Sequence, residues 1–488
     1  MIESVAIIGA GASGAITAAA LQAERYFKRI RVFERRETAG GTWIYDEGVS
    51  PAHLVRPGAL PADSDPRLEI PSSLPCVSPP TKQNRYHETP IYELLTTNVP
   101  DIAMAYSDIP FPYGPFVPHH IPRQYIENYF SAHRIDSLLQ LNTTVEDVSK
   151  VVAQSPEKAD GWNLTLRQHD PTQNLDIWWE ESFDAVILAN GHYSIPYIPQ
   201  VKGLDEYLEQ FPGRVVHSKT YRKPEVWTNK KVVVVGNSAS GIDVSRELIQ
   251  AAQQPIYQSR RSKGRWDGDS PPAGMVWKPI ITEFLSSGRI LFSDGSYLDE
   301  VDAVIYCTGY KPSFPFWNEK RNGRLIFDYQ ENKLINTYWH TFFQDFPTLG
   351  IVGMPRVLTF RGMEYQATAL ARLFSNRLST PLPSLAEQKN WEKERLERCR
   401  REHLKFHDVP WGGGQTTAWF QKLFDFAGLG TLAGDGRIPP VLDERTKWAI
   451  KHIQKYKPAN QDSEANNNDQ ILYHLFEQRD RQLEGPIQ

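Results

Sequence analysis

Short runs of consecutive apolar residues, each closed by a glycine-rich turn and followed by a helical pattern, recur along the chain. Val5-Ala6-Ile7-Ile8 leads into Gly9-Ala10-Gly11-Ala12-Ser13-Gly14 and then into an apolar helical stretch from Ala15 to Gln22. Val232-Val233-Val234-Val235 leads in the same way into Gly236-Asn237-Ser238-Ala239-Ser240-Gly241 and a second helical pattern. Runs that do not alternate with polar residues mark strands buried on both faces, as in parallel sheets covered by helices. The pattern predicts an α/β fold with two dinucleotide-binding, Rossmann-like domains.

A second repeat indicates how the two are joined. Asp184-Ala185-Val186-Ile187-Leu188-Ala189-Asn190-Gly191 aligns with Asp302-Ala303-Val304-Ile305-Tyr306-Cys307-Thr308-Gly309. Both are buried strands that end in a small polar residue and a glycine. The first precedes the second glycine loop and the other follows its domain, the arrangement of one nucleotide domain inserted into another. The expected division is 1–205 for the first part of the outer domain and 206–306 for the insert. Residues 307–457 complete the outer domain with C-terminal helices, and 458–488 form a polar tail expected to be mobile.

From Trp43 to about Pro90 the chain is rich in proline and serine and reads as an irregular excursion. Helix is predicted from Pro122 to His133, Gly362 to Ser375 and Leu385 to Phe406, with an antiparallel hairpin around Asp170-Pro171. His119-His120 reads as surface loop, and Trp411 to Gly414 as a flexible turn.

The glycine loops allow close backbone approach to a pyrophosphate, whose charge then rests on a helix N-terminus. The residue after the next strand selects the ribose. Glu34, after Ile30-Arg31-Val32-Phe33, offers a carboxylate that accepts from ribose hydroxyls and repels a 2′-phosphate. The same offset from Gly236 lands on Arg261, beside Arg260, where guanidinium groups fit a 2′-phosphate. The first site therefore reads as FAD or NAD and the second as NADPH, with electrons passing between them. For Arg260 and Arg261 the competing reading is a solvated basic turn.

Composition narrows the field further. The chain has 488 residues, expected to form two or three domains, and a formal charge of −4 that implies no nucleic-acid or anionic-membrane partner. Cys76, Cys307 and Cys399 form no CxxC pair, so neither a zinc site nor a dithiol flavoenzyme is expected, and no metal-ligand spacing occurs among the histidines. The first strand starts close to Met1, and no apolar run approaches the roughly 20 residues of a membrane span. The expected location is cytoplasmic.

Phe211-Pro212-Gly213-Arg214-Val215-Val216-His217-Ser218-Lys219-Thr220-Tyr221 fits an FxGxxxHxxx(F/Y) pattern just before the second loop. With Gly40-Gly41-Thr42-Trp43, Tyr92-Glu93-Leu94-Leu95-Thr96-Thr97-Asn98-Val99-Pro100, Cys307 to Tyr310 and Glu364-Tyr365-Gln366-Ala367, the chain resembles the flavin-containing monooxygenases, in particular their soluble fungal branch. The resemblance implies that NADPH reduces FAD and that reduced flavin takes up O2 as a C4a-hydroperoxide. Its distal oxygen then passes to a soft nitrogen or sulfur nucleophile of a small molecule, such as an alkaloid-like specialised metabolite.

The resemblance also implies that Asn98 sits beside the flavin and the nicotinamide as the catalytic amide. Gly41, Thr42, Trp43, Thr97, Val145, Thr308, Gly309 and Gln366 would then join the loops in cofactor binding. Trp43 and Tyr92 equally fit core positions, Gly309 an ordinary strand-end turn, and His217 a structural or hinge role. The runner-up activity is Baeyer–Villiger oxygenation of a ketone. That fingerprint usually ends in Trp-Pro or Trp-Asp, whereas this one ends in Tyr221-Arg222. A flavin-binding protein or an NADPH oxidase without oxygen transfer completes the alternatives. The oligomeric state is not legible.

Overall fold

The computed structural model describes residues 1–49, 55–83, 86–152, 160–264, 266–357, 359–411, 414–428 and 435–456. The predicted tail and Gly412-Gly413 of the predicted turn lie outside the described residues.

Two sheets carry the chain. In the seven-stranded first sheet, Ser4–Ile8 lies between Arg29–Phe33 and Ala185–Leu188, all parallel. In the five-stranded second sheet, Lys231–Val235 lies between Gln253–Ser259 and Ala303–Tyr306, again parallel. Val5, Ala6, Ile7, Val232, Val233 and Val234 are fully buried, as strands covered on both faces must be. Helix Ala12–Ala23 packs on the first sheet and across helix Thr359–Phe374, its small alanines permitting the close approach.

The aspartate-led repeat has a clear structural basis. Ala185–Leu188 pairs with Val5–Ile8 in the same register as Ala303–Tyr306 pairs with Val232–Val235. Asp184 Oδ2 accepts from the Glu3 and Ser4 amides at 2.8 Å each, and Asp302 Oδ2 accepts from the Lys231 amide at 2.8 Å. Each aspartate pins the start of the neighbouring central strand. Just beyond the two repeats, Ile195–Pro196 and Tyr310–Lys311 pair antiparallel, a short ribbon where the chain leaves the first sheet and returns to it.

His217 locks this crossing. It is fully buried; Nε2 donates to the Gly309 carbonyl at 3.0 Å and Nδ1 accepts from the Lys219 amide at 3.0 Å. Both ring nitrogens are engaged, so the side chain is structural. The guanidinium of Arg222 donates to the carbonyls of Asp46, Thr89, Lys219 and Tyr221, tying the 44–90 excursion to the same crossing.

That excursion is more ordered than its composition suggests. Cys76–Ser78 joins Leu175–Phe183, Gly161–Asp170 and Thr143–Val151 in a four-stranded antiparallel sheet. The surface-loop expectation for His119-His120 is corrected, because helix His120–Ala132 begins there; Pro122 falls in its first turn, where proline is tolerated. The turn expected at Trp411 to Gly414 leads into helix Gln415–Ala427, with Gly414 at φ +74° as its N-cap. Its buried Trp419, Phe420 and Leu423 lie on the Thr359–Phe374 side of the core.

Candidate active site

The two glycine loops are built alike. The Gly9 amide donates to the Phe33 carbonyl at 2.8 Å, and the Gly236 amide to the Ser259 carbonyl at 2.8 Å. The φ angles are +107° at Gly9 and +118° at Gly236, conformations that side chains avoid. A Cβ on Gly9 would stand 2.6 Å from the Ala189 carbonyl oxygen, and one on Gly236 2.7 Å from that of Cys307. The helices Ala12–Ala23 and Ala239–Leu248 start directly after, and neither N-cap residue makes a side-chain cap. Their first-turn amides are thus left for an anion.

One cavity of about 770 Å³ reaches both loops. Its wall includes Gly9, Gly11, Ala12 and Ser13 of the first loop, Ser238 and Ala239 of the second, and Glu34, Gly41, Thr42, Trp43, Asn98 and Val145. These predicted residues, far apart in sequence, are brought together. The Glu34 carboxylate accepts from the Ala10 amide at 2.8 Å and the Arg36 amide at 3.0 Å, which orients it and leaves lone pairs for further donors. Gly41 backs onto Gly11, where a Cβ would come within 2.7 Å of Gly11 Cα.

His192, also on the wall, was not anticipated. Its Nδ1 donates to the Gly353 carbonyl at 3.0 Å, whereas its buried Nε2 has no hydrogen-bond partner among the described residues. Burial, helped by the Arg356 charge, lowers its pKa to about 4, so the ring is neutral and Nε2 is a bare acceptor. The glycine cradle, the oriented carboxylate and this orphaned acceptor fit a dinucleotide such as FAD. Lys219 is a further unpredicted wall residue; it is buried, and Nζ donates to the Ser194 carbonyl at 2.8 Å.

The remaining predicted residues stand behind the wall or away from it. Ala10 orients Glu34 through its amide, and Gly14 sits under Gly9. Thr97 Oγ1 accepts from the Val117 amide at 3.0 Å, bracing the segment before Asn98. Thr308 donates to the Tyr197 carbonyl, and the Gly309 carbonyl accepts from Tyr197 and His217, so both serve the crossing. Gln366 is buried one layer back; its Oε1 accepts from the Gly353 amide at 3.0 Å and its Nε2 donates to Thr341 Oγ1 at 2.9 Å. Gly236, Ser240 and Gly241 form the second turn without lining the cavity.

The counterpart of Glu34 in the second unit lies one residue earlier than the count from the glycine loop gives. Because the Ser259 carbonyl plays the part of the Phe33 carbonyl, Arg260, not Arg261, is the structural counterpart of Glu34. Its guanidinium lies 3.4 Å over the Trp277 ring and pairs with Asp267 at 2.7 Å. Asp267 also accepts from Asn237 Nδ2 at 2.7 Å, so the second loop and Arg260 share one anchor. Arg261 is exposed, with no hydrogen bond or ion pair among the described residues. With both arginines changed to alanine, the NADPH-over-NADH preference should fall roughly ten- to hundredfold, the worth of one charge-assisted bond of about 1.5–3 kcal/mol. An unaltered ratio of kcat/KM for the two nucleotides would contradict the assignment.

Other wall residues escaped the sequence reading because they come from segments without a motif. Phe360, Met363, Val357, Val409 and Trp411 add an apolar side to the cavity, and Lys455 and Tyr456 close one end. Gly191-His192, at the end of a repeated strand, and Lys219, inside the Phe211 to Tyr221 fingerprint, carried sequence signals that pointed here.

Comparison with known proteins gives the family and the fold of the chain. The profile of the flavin-binding monooxygenase-like family matches residues 81–267 and 272–406, and that of the NAD(P)-binding Rossmann-like domain residues 7–58. The flavin-containing monooxygenase iboF of Amanita muscaria is 29% identical over 440 residues, covering 78% of this chain and 80% of that protein. Flavin-containing monooxygenase FMO GS-OX-like 9 of Arabidopsis thaliana is 31% identical over 401 residues, covering 78% and 77%. Among solved structures, the S-allyl-L-cysteine S-oxygenase of Allium sativum superposes with a TM-score of 0.75 at 26% identity, covering 98% of both chains.

Proposed function

The chain belongs to the flavin-binding monooxygenase-like family, whose cofactors are FAD and NADPH, and from that premise we propose that it oxygenates a soft nitrogen or sulfur atom of a small molecule. In balance, substrate, O2, NADPH and a proton give oxygenated product, NADP+ and water. Bound FAD, reduced by NADPH, supplies the activation of O2. The observation that carries the reading is the single cavity opening on both glycine loops with Asn98 on its wall.

The residues divide the remaining work. The first loop and Glu34 hold FAD; the second loop and Arg260 hold NADPH, the cation meeting the 2′-phosphate. Trp43, Phe360, Met363, Val357 and Trp411 present apolar surface that excludes water and receives the substrate. Asn98 offers an amide able to donate to a developing oxygen charge and to accept from a neighbouring donor. A soft nucleophile brings its own electron pair, so no acid–base pair is needed to activate it. The sulfur chemistry named for the Allium sativum structure supports this substrate class.

Asn98→Ala tests the assignment. FAD content should stay at the wild-type level, while product formed per NADPH falls about tenfold or more, the effect of losing a donor to a charged group. Full coupling in that variant would remove Asn98 from the mechanism. A screen of amines, sulfides and ketones, scored by a product mass gain of one oxygen, identifies the nucleophile. Ester formed from a ketone would transfer the assignment to Baeyer–Villiger chemistry.

A further inference from the structure

Three side chains from two distant parts of the chain converge on one carboxylate oxygen. Asp243 lies on helix Ala239–Leu248, which starts at the second glycine loop. Its Oδ2 accepts from the Tyr92 hydroxyl at 2.6 Å, Lys455 Nζ at 2.9 Å and the Tyr456 hydroxyl at 3.0 Å. Lys455 Nζ also donates to the Thr96 carbonyl at 3.2 Å, two residues before Asn98. Asn98 and Tyr456 both stand on the cavity wall.

The residues involved are well held. Tyr456 is buried, with its ring 4.9 Å from that of Trp266. Helix Glu444–His452, which carries the segment, packs on Asp101–Met104, the helix that follows Asn98-Val99-Pro100. This C-terminal segment lies beyond residue 406, where the family match ends, so the contacts are made by a part of the chain that the family pattern does not describe.

We propose that Lys455 and Tyr456 are positioning residues: anchored on Asp243, they hold the Thr96–Asn98 loop and with it Asn98, coupling the helix of the second nucleotide loop to the reacting face of the cavity. The inference rests on the role given to Asn98 above. Its physical content is preorganisation, since the amide and the second loop keep one mutual arrangement when nucleotide arrives.

The test uses the FAD-loaded full chain. Tyr456→Phe keeps the ring against Trp266 and removes only the hydroxyl, Lys455→Met removes the cation, and Lys455→Arg keeps it. FAD content should not change in any of the three. By calorimetry, NADP+ should bind about three- to tenfold more weakly to Tyr456→Phe and Lys455→Met, the effect of losing one ordinary hydrogen bond, with Lys455→Arg near wild type. Peroxide released per NADPH consumed should rise in the same two variants, and Tyr456→Phe should add nothing to Asn98→Ala, as expected for a clamp that acts through the placing of Asn98. Uncoupling by Asn98→Ala alone, with Tyr456→Phe and Lys455→Met like wild type in NADP+ affinity and peroxide release, overturns the clamp and spares Asn98. Full coupling of Asn98→Ala overturns both.

Discussion

Gly14→Ala should yield a protein that has lost its yellow colour, and Gly241→Ala a yellow protein that NADPH no longer bleaches. A Cβ on Gly14 would stand 1.9 Å from the Gly9 carbonyl oxygen, and one on Gly241 2.2 Å from that of Gly236. In both cases the obstacle is the backbone of the turn itself, which no rotamer change relieves. Overpacking costs about 1–3 kcal/mol even where neighbouring side chains yield, and here relief requires opening the turn that faces the pyrophosphate. The lesions are chemically identical, yet they fall on loops assigned to different nucleotides. Absorbance at the flavin band per protein, circular dichroism for folding, and anaerobic NADPH titration read them separately. Colour retained in folded Gly14→Ala, or normal bleaching in Gly241→Ala, would mean that the loops do not hold the cofactors assigned to them.

Acidification should unfold the enzyme steeply below pH 6.5. His217, His340 and His407 are buried. Burial, with the Lys219 charge added, lowers His217 to about 3. His340 and His407 lie well below the ordinary 6.5, again through burial first, with His407 and Arg395 adding to it at His340, and Arg395 and Lys333 at His407. Their Nδ1 atoms are 3.1 Å apart and His407 Nε2 accepts from the Leu334 amide, so neither ring can take a proton without breaking a buried contact.

The sign follows from which state binds protons. Below pH 6.5 the unfolded chain protonates these three rings and the folded one does not, so stability is full above that pH and falls as pH drops towards the folded values. Each ring contributes about 1.4 kcal/mol per pH unit, and three give about 4 kcal/mol per pH unit. Against a typical total of about 5–15 kcal/mol, one to two pH units decide the outcome. Urea unfolding of the holoenzyme at pH 7.5, 6.5 and 5.5 measures the slope. Uptake of fewer than one proton on unfolding between pH 6.5 and 5.5 would show that these rings are not neutral in the folded state.

How much of the site was legible depended on how local its physics is. The glycine loops were readable because a turn, a strand before it and a helix after it lie within a few residues, and their chemistry is enforced by contacts among those residues. The fold class followed from the same runs, and the Asp184 and Asp302 repeat was readable because each aspartate clips a neighbouring strand in the same manner. Glu34 was readable by counting. Its counterpart was not, since the count led to Arg261 whereas the hydrogen bond between Gly236 and Ser259 places Arg260 there. Pairing between Lys231–Val235 and Gln253–Ser259 is irregular, and a fixed offset ignores such shifts.

Gln366 shows the same division from another side. Its motif drew attention, but its amide braces Gly353 from behind the cavity wall, a distinction invisible in one dimension.

The apolar runs, the glycine loops and the charged residues after the next strands by themselves determined the two nucleotide-binding units and their cofactor class, and the fingerprint around His217 with its companion motifs carried the resemblance to the family, because each of those signals is short-range. Only the tertiary structure decided that both loops open on one cavity, that His192 brings an unsatisfied acceptor to its wall, and that Lys455 and Tyr456 reach back from the end of the described chain to Asp243 and the Asn98 loop. Those contacts join residues separated by hundreds of positions, and the chain's own periodicity carries no record of which distant side chain will supply the partner of a buried polar group.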